Sequence, residues 1–166
     1  DADSTKTALA PYVPTIPGQG DRAGDSSTWT AQSEGLTEDG QRDPTLDFGF
    51  VQPAVSVGDY VWVDSNQDGR QDSGEPGIPG VVLTITGPDG GPVTGVNGLP
   101  VGPQTTDDDG LYSFDGLPVL KDGQHYTVTI DQAASKKPLA PYVPTISGQG
   151  DRAGDSSTWT ASSEGL

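Results

Sequence analysis

The chain has no cysteine and no methionine, and it has a single histidine, His125. Disulfides, thiolate chemistry and cysteine metal sites are therefore excluded. One histidine with no thiolate beside it cannot make a zinc site, and no Gly-x-Ser-x-Gly elbow marks a nucleophile. Basic residues are scarce, 8 Lys and Arg against 24 Asp and Glu, for a net charge of −16. Nucleic acid and anionic membranes are bound through Lys and Arg, so neither is an expected partner. No apolar run is long enough to span a bilayer, and no signal segment is present. Paired carboxylates are so abundant that no one pair points to glycosidase chemistry. The chain is read as non-enzymatic.

What is present is a repeat. Residues 9–36 recur as residues 139–166, differing only at Pro17/Ser147 and Gln32/Ser162. Near-identical copies at this spacing indicate a tandem array of like modules, each the size of an ordinary domain. The phase of the array is legible. Thr45–Phe50 alternates like a half-buried strand, Gln52-Pro53-Ala54 reads as a short linker, and Val57–Val63 opens a new strand. Residues 1–52 are then the back of one module, 53–54 a linker, and 55–166 the next module without the equivalent of its closing strand. The partners this implies are neighbouring identical modules.

Gly (24) and Pro (15) are numerous enough to raise the question of disorder. They punctuate short alternating runs instead. Val81/Leu83/Ile85, Tyr112/Phe114, Tyr126/Val128/Ile130 and Leu46/Phe48/Phe50 each present one apolar face at period two. Short strands separated by turn signals indicate an all-β sandwich or barrel. Trp29, Trp62 and Trp159 are read as core or cross-strand residues rather than sugar platforms.

The strongest chemical motif is Asp64-Ser-Asn66-Gln-Asp68-Gly69-Arg70-Gln-Asp72-Ser-Gly-Glu75. It meets D-x-[DN]-x-[DN]-G-x5-E at every position, a pattern that offers a hard cation six to eight oxygens. Asp64, Asn66 and Asp68 supply side-chain oxygens from alternate residues. Gly69 permits the sharp turn, Arg70 offers its carbonyl, Asp72 ligates directly or through water, and Glu75 closes the shell. The bland alternative is a solvated Asp/Gly turn; agreement at every position favours Ca2+. Pro76 and Pro79 forbid a following helix, so the ion would fix a loop between strands rather than open a helix pair.

A second cluster, Asp107-Asp108-Asp109-Gly110, reads equally well two ways. Asp107 and Asp109 can ligate a second ion, or the run is a tight turn into the Leu111–Phe114 strand. Asp21/Asp151 and Asp25/Asp155, in the repeats, are weaker candidates that suit turn capping.

These residues carry a resemblance. Val57-Gly58-Asp59-Tyr60-Val61-Trp62-Val63-Asp64, running into the acidic loop and Gly77-Ile78-Pro79-Gly80-Val81, resembles the B domain of serine-aspartate repeat surface proteins. Thr106-Asp107-Asp108-Asp109-Gly110-Leu111-Tyr112 through Pro118, Tyr126–Ile130, Asp155-Ser156 and Leu46–Phe50 follow in family order. The resemblance implies an immunoglobulin-like or prealbumin-like β-sandwich related to collagen-adhesin B-type domains. It implies calcium-stiffened stalk modules, extracellular on a bacterial cell wall, with Asp64, Asn66, Asp68, Arg70, Asp72 and Glu75 as calcium positions and Asp107 and Asp109 less securely placed. Some relatives of the fold carry a lysine isopeptide. Here no lysine stands on Val57–Val63, so none is expected.

Two further expectations follow. Closing the second module with Thr45–Phe50 of the same chain leaves about five residues, at most ~17 Å, to cross a domain. Head-to-tail donation of Thr45–Phe50 to a neighbouring molecule is the alternative, and such contacts give open filaments. An adhesive module that binds a host ligand is the competing function; it needs a concave aromatic patch that the sequence does not reveal.

Overall fold

The computed structural model describes residues 7–19, 26–27, 29–149, 157 and 159–163. Asp21, Asp25, Asp151 and Asp155 lie outside the described residues. The chain divides into two compact units, Asp1–Pro53 and Ala54–Leu166.

Among its described residues the first unit holds four two-residue strands: β1 (Val13–Pro14), β2 (Ser26–Ser27), β3 (Asp47–Phe48) and β4 (Phe50–Val51). β1 pairs antiparallel with β4, placing Val13 opposite Val51 and Pro14 opposite Phe50. β2 pairs parallel with β3, placing Ser26 opposite Asp47 and Ser27 opposite Phe48. The single strand expected over Thr45–Phe50 is therefore two strands with different partners. The break falls at Gly49, whose carbonyl accepts from Thr15 N–H at 3.0 Å. A Cβ there would stand 2.6 Å from Thr15 Cγ2 and 3.3 Å from Ser26 Cβ, so a larger residue would require the Thr15 side chain to move. Trp29 tilts onto Phe50 of β4, ring centroids 5.6 Å apart, and stays 64% exposed, so of the core and cross-strand readings it is not a core residue.

The second unit contains β5 (Ala54–Tyr60), β6 (Val82–Thr86), β7 (Gln104–Thr105), β8 (Leu111–Pro118), β9 (Thr127–Ile130) and β10 (Thr160–Ser162). β5 and β8 form an antiparallel pair whose register shifts between Val55 and Val57. The other four make a sheet in the order β10-β9-β6-β7, antiparallel throughout. The two sheets close on one core of Ile78, Val81, Leu83, Ile85, Val93, Phe114, Leu117, Tyr126 and Val128, flanked by Val55, Val57 and Tyr112. The fold is all-β, a β-sandwich.

Alternation produces this core. Leu83 and Ile85 are buried on β6, alternating with half-buried Val82, Thr84 and Thr86, and Ile85 stands opposite Val128 of β9. Phe114 and Leu117 of β8 are fully buried. Two buried hydroxyls are satisfied rather than wasted. Thr106 Oγ1 donates to Ile78 O (2.7 Å) and accepts from Val81 N–H (2.9 Å). Ser135 Oγ accepts from Val82 N–H (2.9 Å) and donates to Val82 O (3.2 Å). Each group would otherwise cost ~1–3 kcal/mol.

The opening strand ends at Tyr60, short of the expected Val63. Beyond it the backbone changes partners. Val61 N–H donates to Gly110 O and Val63 N–H to Pro76 O, both at 2.9 Å, and Ile78 N–H donates to Val61 O at 2.8 Å. Trp62 forms an isolated antiparallel bridge with Gly77. This bridge is the neck of the acidic loop.

Candidate metal centre

The loop from Asp64 to Glu75 is wound by its own carboxylates. Asp64 Oδ1 accepts from Asp68 N–H (3.2 Å) and Oδ2 from Gly69 N–H (2.9 Å). Asn66 Oδ1 also accepts from Asp68 N–H (3.1 Å), and Asp68 Oδ1 accepts from Arg70 N–H (2.9 Å). Glu75 reaches back across the loop, Oε1 accepting from Ser65 N–H (2.7 Å) and Oε2 from Asp72 N–H (3.0 Å). Backbone donors that a tight loop leaves unpaired are thus collected by the residues the motif singles out. The winding needs left-handed backbone at Gln67 (φ 61°) and Gly69 (φ 79°), the first of which is uncommon for a residue with a Cβ.

At the middle of the loop, Asn66 Nδ2 donates both to Asp68 Oδ2 (3.1 Å) and to Asp72 Oδ2 (2.9 Å). A neutral amide, with its partly positive hydrogens, bridges two carboxylates. Among the described residues no three acidic or histidine side chains stand close enough together to hold a metal ion. The motif residues are therefore brought to one loop and linked pairwise, without the tight convergence of a bound-ion shell.

The far repeat lies over this loop. Thr145 Oγ1 donates to Asp64 Oδ2, and Arg70 Nε donates to Gln149 O. A Cβ on Gly69 would collide with the Ile146 carbonyl, so this glycine serves both the turn and the close approach. The Thr145 hydroxyl is the main cause holding the Asp64 carboxyl below the usual carboxylate range; amide donation from Gly69, Gln67 and Asp68 adds to it and partial desolvation opposes it. Sequence reasoning missed Thr145, because nothing local ties it to a residue so distant in the chain.

Asp107 makes a turn. Its Oδ1 accepts from Asp109 N–H (3.0 Å) and Leu111 N–H (2.9 Å), and its carbonyl accepts from Gly110 N–H (3.1 Å). The turn abuts the loop's neck, because Gly77 packs flat on the Asp109 backbone. Among the described residues one other carboxyl is shifted. Asp59 of β5 stands opposite Tyr112, and desolvation pushes it above its ordinary value. His125 is exposed.

Beside the loop, the second unit holds a cavity of about 650 Å³. Its walls include Trp62, Leu83, Val128, Val143 and Trp159.

Residues 55–165 match the profile of the SdrD B-like domain. Serine-aspartate repeat-containing protein C of Staphylococcus aureus (strain MRSA252) is 40% identical over 133 residues, covering 79% of this chain and 13% of the relative. Serine-aspartate repeat-containing protein F of Staphylococcus epidermidis is 35% identical over 127 residues, covering 76% of this chain and 6% of the relative. The chain thus spans a small part of the curated relatives it matches, and none of these names is that of an enzyme. The β-sandwich, the alternation that builds it and these matches agree: the chain belongs to the SdrD B-like domain family.

Proposed function

We propose that this chain is a non-catalytic spacer from a tandem-repeat protein of the bacterial cell surface, stiffened by Ca2+ in the Asp64–Glu75 loop. The carrying observation is the Asn66 amide set between Asp68 and Asp72 in a loop already wound by Asp64 and Glu75. That is a place where positive charge is wanted and an amide supplies only part of it. The side chains of Asp64, Asn66, Asp68, Asp72 and Glu75 and the Arg70 carbonyl are an all-oxygen donor set, the chemistry calcium selects. The ion would offset two of the four carboxylate charges that Asp64, Asp68, Asp72 and Glu75 bring to one loop, in a chain of net charge −16.

A spacer must keep its length. Calcium that binds the folded loop and not the unfolded chain stabilises by mass action, about 4 kcal/mol for a micromolar site in millimolar calcium. The near-identical repeats support a spacer, since like modules in series add length rather than new chemistry. Calorimetric titration of the calcium-stripped chain tests the reading. Binding is expected, weakened at least tenfold in Asp68→Asn/Asp72→Asn. Absence of binding at millimolar calcium refutes it.

A further inference from the structure

The Asp64–Glu75 loop is gripped by residues that follow the last core strand. From the end of β9 a ladder of turns carries the chain back to the loop. Ser135 N–H donates to Asp131 O (2.8 Å), Leu139 N–H to Ser135 O (3.0 Å) and Tyr142 N–H to Leu139 O (3.0 Å), and Leu139 packs against the core. Thr145 then donates its hydroxyl to Asp64 Oδ2, the oxygen that also accepts from Gly69 N–H at 2.9 Å. One residue on, the Ile146 carbonyl rests on Gly69, where a Cβ would collide with it and would stand 3.1 Å from Gln149 Cγ. Arg70 Nε donates to Gln149 O. Asp64, Gly69 and Arg70 are thus each in contact with the Thr145–Gln149 segment.

Two of those three loop residues, Asp64 and Arg70, belong to the donor set assigned to the ion, and the third makes the loop's sharp turn. Two donors on Asp64 Oδ2 fix the plane of the carboxylate, and with it the way Oδ1 is presented to the loop. A hydrogen-bond donor that orients a ligating carboxylate tunes metal affinity from outside the shell. The grip also needs the wound loop, because it spans residues from Asp64 to Arg70 that an opened loop would separate. Whatever winds the loop therefore favours the grip, and by linkage the grip favours whatever winds the loop.

We propose that Thr145 is a positioning residue of the calcium site, and that loading the loop and docking Thr145–Gln149 on it stabilise each other. The inference rests on the calcium reading above and adds to it a residue that lies outside the motif, in the repeated sequence. In the first unit Thr15, at the matching position, gives its N–H to Gly49 O.

The test is calorimetric titration of the full 166-residue chain with calcium, beside Thr145→Val and Thr145→Ser. Amide hydrogen exchange is read in parallel on peptides spanning residues 139–149 and 9–19, which Ser147 and Pro17 distinguish by mass. Valine keeps the branched shape and removes the hydroxyl. Thr145→Val should bind calcium about tenfold more weakly, the lower end of what loss of such an outer partner costs a metal site. Thr145→Ser, which keeps the hydroxyl, should recover most of that loss. Saturating calcium should slow exchange in residues 139–149 relative to residues 9–19, and the slowing should shrink in Thr145→Val even when calcium is raised to saturate it. Equal affinity with threonine and valine at 145 overturns the inference and leaves the spacer reading standing. So does exchange in residues 139–149 that ignores calcium, or that slows as much in Thr145→Val. A chain that binds no calcium refutes the spacer reading itself, and this inference with it.

Discussion

Thr145 donates its hydroxyl to Asp64, 81 residues earlier in the chain, and so ties the second repeat to the first residue of the acidic loop. The tie lowers the Asp64 pKa, and the sign of its pH dependence follows. A depressed carboxyl adds stability above its unfolded value of 3.8, and that stability is lost as pH falls through the folded value.

Thr145→Val should therefore return the Asp64 carboxyl toward its ordinary value, measured by NMR titration of its side-chain carbon. It should leave stability below the folded pKa unchanged while reducing it at neutral pH. An unmoved titration would show that the backbone amides alone set the Asp64 pKa.

Asp59 carries the opposite sign. Its folded pKa is raised by desolvation, so the ionised form is penalised above that value and the penalty vanishes below 3.8. Asp59→Asn should stabilise the chain in urea melts at pH 7 and have no effect at pH 3. Equal effects at both values would place the cause outside ionisation.

Phe114 is fully buried on β8 and meets Tyr112 edge-on at 6.1 Å between centroids. Phe114→Ala should cost about 3–5 kcal/mol in urea denaturation of the second unit. That is a large share of the ~5–15 kcal/mol a domain commands. A cost under ~1 kcal/mol would mean that the two sheets do not share one core.

Much of the sandwich is legible in the sequence because period two is a local signal. Val81, Leu83, Ile85, Phe114, Tyr126 and Val128 read as inward-facing and are buried. Ile78, Val93 and Leu117 join them without an alternating neighbourhood; loops and a turn-rich strand end carry them into the core. The ends of strands were less legible. Gly49 splits one expected strand because of Thr15 and Ser26, and Val61–Val63 leaves its ladder because of Gly110 and Pro76. These causes are side chains and carbonyls distant in the chain, and no window of local pattern contains them. The acidic loop was legible as a motif because its spacing is local. Its latch to Thr145 and Gln149 was not.

Thermal unfolding of the intact chain, with chelator and with millimolar calcium, tests the spacer account most directly. The account predicts a midpoint higher by roughly 10–20 °C in calcium, the shift about 4 kcal/mol produces in a domain of this size. The shift should be smaller by at least about a third in Asp68→Asn/Asp72→Asn, as a tenfold or greater loss of affinity requires. Coincident melting curves for the unaltered chain would contradict it.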